Sequence, residues 1–223
     1  MAEVCGIGRG KRVLDVGCGK GVTACYLAQK YDCEVIGIDG SERTVEYAKR
    51  LARSKGLEGR IDFRVANAHR LLSENESFDI VIAECTTVLL DKERAFREFI
   101  RVLKPGGYIG DLEMIWRVPP PEELVRHTCG VWGGFKTMTL RERMGLFERL
   151  ALVDIRAVDF SDEIPDIGKA LLKELGFKGV IKMVCRLLLC PDICRTMIEY
   201  ARIFREYKEL HRIRPYSREK TAQ

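Results

Sequence analysis

An aspartate set inside an apolar strand and followed by three alternating glycines carries the most chemistry in this chain. Lys11 to Val16 reads as a short buried strand of β-branched and aliphatic residues, with Asp15 within it. Gly17, Gly19 and Gly21 follow around Cys18, and an apolar helical pattern starts at once with Val22, Ala24, Cys25, Leu27 and Ala28. Glycines there let the backbone turn tightly and let a bulky ligand approach with no Cβ in the way. The helix behind them points its free N–H groups at whatever sits over the turn. A nucleotide-like ligand is the expected occupant. Dinucleotide-binding proteins seat a pyrophosphate on G-x-G-x-x-G, with an acid about 20 positions on for the ribose. Here the spacing is G-x-G-x-G and an acid precedes it. Asp15 suits a cationic ligand end, such as the amino group of an amino-acid moiety, better than a pyrophosphate. A dinucleotide site and a plain βα turn are the alternatives.

The elements that must position this turn alternate strictly. Cys33 to Ile38 reads as a second strand ending in Asp39-Gly40-Ser41, with Ser41 capping a helix whose apolar face carries Val45, Ala48, Leu51 and Ala52. Ile61 to Val65 alternates as a third strand, and Phe78 to Ala83 is a fourth, continuous and buried on both faces. Asp91 caps a helix bearing Phe96, Phe99, Ile100 and Leu103. That helix is expected to stop at a Lys104-Pro105-Gly106-Gly107 turn, with Tyr108 to Met114 as a fifth strand. Such alternation predicts an α/β fold: a doubly wound, mostly parallel, Rossmann-like sheet.

Ligands of such sheets bind at the carboxyl ends of the strands, near the point where strand order reverses. Asp39 stands where a carboxylate can accept hydrogen bonds from both ribose hydroxyls. Its bland reading as a helix cap is weaker, because Ser41 suits that role. Asn67, before Ala68, offers an amide for an adenine edge, or is simply a turn residue. Glu84 and Cys85 end strand four, above the glycine turn.

As a set these residues resemble a family. Val-Leu-Asp-Val-Gly-Cys-Gly-Lys-Gly, Ile-Gly-Ile-Asp-Gly-Ser, Phe-Asp-Ile-Val-Ile-Ala and Arg-Val-Leu-Lys-Pro-Gly-Gly-Tyr occur in this order over residues 11–113. The chain is similar to the class I S-adenosylmethionine-dependent methyltransferases, and within them to the small-molecule branch that includes quinone-biosynthesis C-methyltransferases and arsenite methyltransferases. The resemblance implies S-adenosyl-L-methionine as cofactor. Asp15, Gly17, Cys18, Gly19 and Gly21 would surround its methionine part and Asp39 with Gly40 its ribose. Asn67 and Ala68 would face the adenine, and Glu84 would flank the cofactor from strand four. Asn67 departs from the aspartate of many members, though both accept a hydrogen bond from the adenine amino group. Methyl transfer needs a base only where the acceptor must lose a proton first; Glu84, Glu113 and His127 are the candidates.

Composition and missing motifs narrow the partners. The 223 residues are 46% hydrophobic and 32% charged, with a net charge of +5, enough for one substantial core. No apolar run reaches the length of about 18 residues expected of a membrane span, and no signal segment opens the chain, which points to the cytoplasm. The nine cysteines are scattered, without C-x-x-C, and read as free thiols. Cys185, Cys190 and Cys194 cluster, but no metal is expected. Strand four lacks the Asn/Asp-Pro-Pro-aromatic motif used on amide or nucleobase nitrogens. No stripe of Lys and Arg interleaved with aromatics follows the sheet, so a small-molecule acceptor is expected and no nucleic acid. Arsenite chemistry would need pocket thiols, for which Cys85 and Cys129 are the candidates.

The chain reads as one domain, residues 1–223, with a cofactor-binding core at 11–113 and a lid insertion for the acceptor at 114–150. The lid offers Trp116, His127, Cys129, Trp132 and Phe135 as pocket walls or as core, and Thr139 caps a helix reaching Leu150. Leu152 to Phe160 alternates as a sixth strand, and 166–176, 179–190 and 192–212 read as helices. Few residues precede the first strand, and no seventh strand is legible. Six strands are therefore expected, unless a partner completes the sheet. The apolar faces of the last two helices suit core packing, a homodimer contact or peripheral contact with an anionic membrane.

Overall fold

Four successive residues of the first strand, Val13 to Val16, are buried, which only a central strand covered on both faces allows. The computed structural model describes residues 1–131 and 136–159, with 127–131 as backbone alone, and beyond these Gly176 and Gly179. The strands are β1 (Arg12–Val16), β2 (Glu34–Asp39), β3 (Ile61–Val65), β4 (Phe78–Glu84) and β5 (Leu103–Leu112). They pair in parallel in the order β3-β2-β1-β4-β5, so the order reverses at β1. The helices are α1 (Val22–Tyr31), α2 (Glu42–Ser54), α3 (Lys92–Val102), α4 (Glu122–Val131) and α5 (Leu140–Arg149), with one 3-10 turn at Thr87–Leu89.

Side-chain caps start three helices where the sequence places them. Ser41 Oγ accepts from the Thr44 N–H and Asp91 Oδ1 from the Arg94 N–H. Thr139 and Glu142 form a reciprocal capping box at the start of α5. Val13, Val35, Phe63, Ile80 and Ile82 share one core with Ala24, Leu27 and Ala28 of α1 and Val45, Ala48 and Ala52 of α2. Helix α3 buries Ala95, Phe96, Phe99 and Val102 and packs on β5.

Two expectations need correction. Helix α3 ends at Val102 and β5 begins at once, so Pro105-Gly106-Gly107 is not a turn before the strand but a bulge inside it. Phe78 pairs with Leu103 while Ile80 pairs with Tyr108, and the extra residues of β5 loop out at Gly106, φ +75°. Gly107 lies so close to β4 that a Cβ would sit 2.7 Å from the Asp79 carbonyl oxygen. Residues 152–159 form no strand, leaving five strands among the described residues. The alternation there is not burial, since Val153 is 83% and Val158 55% exposed.

The chain divides into two compact units, residues 1–114 with 135–137, and 115–134 with 138–223. In the first unit the N-terminal residues pack on the sheet: a Cβ at Gly110 would lie 2.9 Å from both Met1 and Cys5 side-chain atoms. In the second, Trp116 is buried, and its N–H donates to the Met138 carbonyl. The helices expected at 166–176, 179–190 and 192–212 lie outside the described residues, Gly176 and Gly179 aside.

Candidate functional site

The reversal of strand order brings the carboxyl ends of β1, β2 and β4 side by side. Asp15 pairs across β1 with Gly37 of β2 and Ile82 of β4, one residue short of the glycine turn. The turn is fixed to β2, because the N–H groups of Gly17 and Cys18 both donate to the Ile38 carbonyl. All three glycines take a left-handed φ (Gly19 +53°), but only two are also closed in by neighbouring side chains. Gly17 has φ +72°, and a Cβ there would lie 2.2 Å from Thr86 Oγ1. Gly21 has φ +77° and abuts Phe63 and Ala48, so it admits β3 and α2 rather than a ligand. Gly19 is the glycine with open space over it. No side chain caps α1, whose first turn opens beside it.

Three carboxylates surround this turn. Asp39 Oδ2 accepts from the Gly19 N–H at 3.1 Å and Oδ1 from the Ser41 N–H at 2.9 Å. Asp39 therefore ties turn to strand, while Ser41 alone caps α2. Glu84 Oε2 accepts from Thr23 Oγ1 at 2.8 Å, joining β4 to the start of α1. Asp15 is 2% exposed and its Oδ2 has no hydrogen-bond partner. Burial first, then the charges of Glu84 and Asp39, push the Asp15 carboxyl up to about 7. Burial and the same aspartates push the Cys18 thiol well above its usual value. No lysine or arginine among the described residues forms an ion pair with any of the three acids. The arrangement can accept a cation, and repels an anion.

The remaining candidates are spread out. Asn67 Oδ1 accepts from the His69 N–H at 2.9 Å, the geometry of a turn residue, with Ala68 beside it; the Asn67 amide nitrogen stays available. Gly40 is exposed, with nothing within 4 Å of a Cβ placed there. Glu113 accepts from Thr87 Oγ1 and the Val88 N–H through Oε2, and from the Met114 N–H through Oε1. It thus holds the 3-10 turn after β4, a role the sequence did not suggest. Cys85 sits at φ +50° between Glu84 and Thr86. His127 and Cys129 fall on α4, in the second unit, while Trp132 and Phe135 lie outside the described residues. Thr23 and Thr86, which brace Glu84 and Gly17, escaped sequence reasoning. Thr23 meets its partner 61 residues away, which no local pattern signals.

Among the described residues no group of three His, Cys, Asp or Glu side chains could hold a metal ion. The described cysteines Cys5, Cys18, Cys25, Cys33 and Cys85 are free thiols. An open cavity of about 250 Å³ lies at the other end of the sheet, lined by Arg12, Glu34, Glu58, Arg60 and Asp62 among others. It has no part in the acidic site.

Comparison with known proteins gives the frame for this geometry. Residues 7–115 match the family model described as a methyltransferase domain. The methyltransferase GfsG of Streptomyces halstedii is 32% identical over 189 residues, covering 78% of this chain and 66% of that protein. Norajmaline N-methyltransferase of Rauvolfia serpentina is 39% identical over 187 residues, covering 79% and 64%. The crystal structure of the 4+2 cyclase SpnF superposes with a TM-score of 0.59 at 29% identity, covering 66% of this chain and 54% of that one. The chain thus spans just under two thirds of the length of these curated relatives. A parallel sheet reversing at β1, an acid-flanked glycine turn and these matches agree: through residues 7–115, the chain belongs to the class I S-adenosylmethionine-dependent methyltransferases.

Proposed function

We propose that this protein transfers the methyl group of S-adenosyl-L-methionine in line to a small-molecule acceptor. The observation that carries the cofactor half is the buried Asp15 carboxyl, one oxygen of it unpartnered, beside Gly19, the one glycine of the turn with open space above it. The cofactor's ammonium supplies the missing partner. Asp39 receives the ribose hydroxyls on lone pairs its two N–H donors leave free, with Gly40 giving room. Cys18 lines the turn, Glu84 flanks the cofactor, and Asn67 and Ala68 border the adenine. A nicotinamide dinucleotide fits poorly, because its pyrophosphate would face three acids. The bound cofactor supplies a methyl already activated by its sulfonium. The chain's own residues then need only orient and exclude water, worth on the order of 7–11 kcal/mol.

The acceptor half rests on the relatives, one of which is by name a norajmaline N-methyltransferase. Residues 114–150 act as the acceptor lid on this reading. Glu84, Glu113 and His127 are the candidate bases; Glu84, with one neutral donor, is the freest of the first two. A second reading, cofactor binding without methyl transfer, is favoured by one observation, the likeness to a cyclase of this fold. Two further proposals concern the surroundings. For residues 179–190 and 192–212 the readings are core packing, a homodimer contact or an anionic-membrane contact; sedimentation with and without anionic liposomes separates them, and a monomer that ignores liposomes leaves only packing. The free thiols and the lack of any described helix long and apolar enough to cross a membrane suit the cytoplasm.

The test is a thermal-shift panel with S-adenosylmethionine, S-adenosylhomocysteine and dinucleotides, then product detection over small amines, phenols and activated carbon acids. Stabilisation by the adenosyl ligands and methylation of a small acceptor are expected. Stabilisation by dinucleotides alone overturns the cofactor half. Methylation of RNA, DNA or a folded protein alone overturns the acceptor half, and cofactor binding without any methylated product favours the second reading.

A further inference from the structure

Asp15 lies in the middle of the sheet, 2% exposed, and its Oδ2 is buried and touches no donor. The charged or titratable groups that act on it are Asp39 from β2 and Glu84 from β4, with the Cys18 thiol in the turn behind it. From α1, the Thr23 hydroxyl is already given to Glu84. An ionised carboxylate in such a place is poorly solvated, has one oxygen without a donor and no counter-ion, while two further acids repel it. The neutral acid has no charge to desolvate or to be repelled, and bears only the far smaller cost of an unpaired polar group.

We propose that Asp15 carries a proton in the ligand-free protein and surrenders it to solvent on meeting a ligand's ammonium group, so that cofactor binding releases one proton. The inference rests on the cofactor reading above and adds to it a pH dependence and a selectivity. The balance is simple: a neutral carboxyl and a ligand ammonium become a carboxylate–ammonium pair, and one proton goes to the buffer. No covalent bond other than O–H changes. Since the Asp15 carboxyl sits at about 7, the sign is fixed. Affinity for an ammonium-bearing ligand is full above that pH and falls about tenfold per unit below it. A ligand with the same adenosine and thioether but no amino-acid portion leaves Asp15 protonated and shows no such fall.

Calorimetric titration of the full chain with S-adenosylhomocysteine decides the matter. It is run near pH 6 and pH 8, each in two buffers of different ionisation enthalpy, with 5′-methylthioadenosine as the ligand lacking the ammonium. The expected result is close to one proton released near pH 6, nearly none near pH 8, and none for methylthioadenosine at either. The Asp15→Asn variant removes the release while retaining weaker binding. If that variant does not fold, the wild-type pH series still answers. Homocysteine-ligand binding at both pH values with no proton released overturns this inference alone. No adenosyl-ligand binding at either pH overturns the cofactor reading and this inference with it.

Discussion

The two ends of the sheet treat their acids in opposite ways. At the amino ends, Asp79 takes the Arg12 N–H and the ammonium groups of Lys104 and Lys11. Asp32 holds Arg9 and Arg60, and Glu34 lies against Arg12. At the carboxyl ends, Asp39, Glu84 and Glu113 are met only by backbone N–H groups and hydroxyls, and one oxygen of Asp15 by nothing. Charges at the amino ends are neutralised by cations of the same chain. Those at the carboxyl ends are left for a cation from outside. Burial works to raise both Asp15 and Asp79; at Asp79 the Arg12 N–H and the two lysines overcome it and bring the carboxyl below its usual value.

The largest expected effect tests whether the turn is built as tightly as this contrast needs. Gly17→Val forces a β-branched side chain into φ +72° and onto Thr86. It should destabilise by about 3 kcal/mol, a left-handed penalty of about 1–2 plus overlap of similar size. Gly40→Ala, with open space around it, should change urea unfolding by less than about 1 kcal/mol. Equal losses in both would refute the argument from Thr86.

Next comes Asp15→Asn, whose effect depends on pH. Ionised Asp15 destabilises the ligand-free protein, by an amount that is absent near pH 4, grows up to about pH 7 and is complete above it. The rise from 3.8 to about 7 is about three pKa units, a ceiling of about 4 kcal/mol at about 1.4 each. Asp15→Asn should therefore stabilise the ligand-free protein at pH 8 by about 2 kcal/mol, since the buried amide is itself left without a partner, which offsets part of that ceiling. Denaturant melts at pH 4 and pH 8 check this; a loss of stability at pH 8 would sink the contrast.

Smaller is the effect of Asp39→Ala, which strips two N–H groups of their acceptor and the ribose of its partner. S-adenosylhomocysteine should bind at least about tenfold more weakly by titration calorimetry. Unchanged affinity would remove Asp39 from the cofactor set.

Smallest is Asp79→Asn, at the neutralised end. Its carboxyl is depressed, so its contribution is present above the unfolded value near pH 4 and is lost as pH falls through the lower folded value. The variant should lose about 1 kcal/mol at neutral pH and keep its affinity for S-adenosylhomocysteine. Weakened ligand binding would mean that the two ends are coupled.

Much of this is legible in the sequence alone. Strand and helix order follows from periodicity, and Ser41, Asp91 and Thr139 cap the helices they precede because an N-cap is a contact between near neighbours. Asp15 and Asp39 stand out because strand ends converge in any parallel sheet that reverses. The errors have a common cause. Alternation at 152–159 reads as a strand only if a partner strand is there to bury it, and Val153 stays in solvent. Pro105-Gly106-Gly107 reads as a turn locally, but the hydrogen-bonding edge of β4 draws it into a bulged strand.

The sequence by itself determined the elements, their order and the acids at their ends, because these depend on side-chain type and on neighbours a few residues away. Only the tertiary structure decided which acid is left without a partner. Thr23 reaches Glu84, the Gly19 and Ser41 N–H groups reach Asp39, and no donor reaches Asp15 Oδ2. It also decided that Gly17 yields to Thr86 and Gly21 to Phe63, so that the open space lies over Gly19. Hydrogen bonds and close contacts of that kind are set by distances of a few ångströms between residues tens of positions apart, and a one-dimensional pattern carries no such distance.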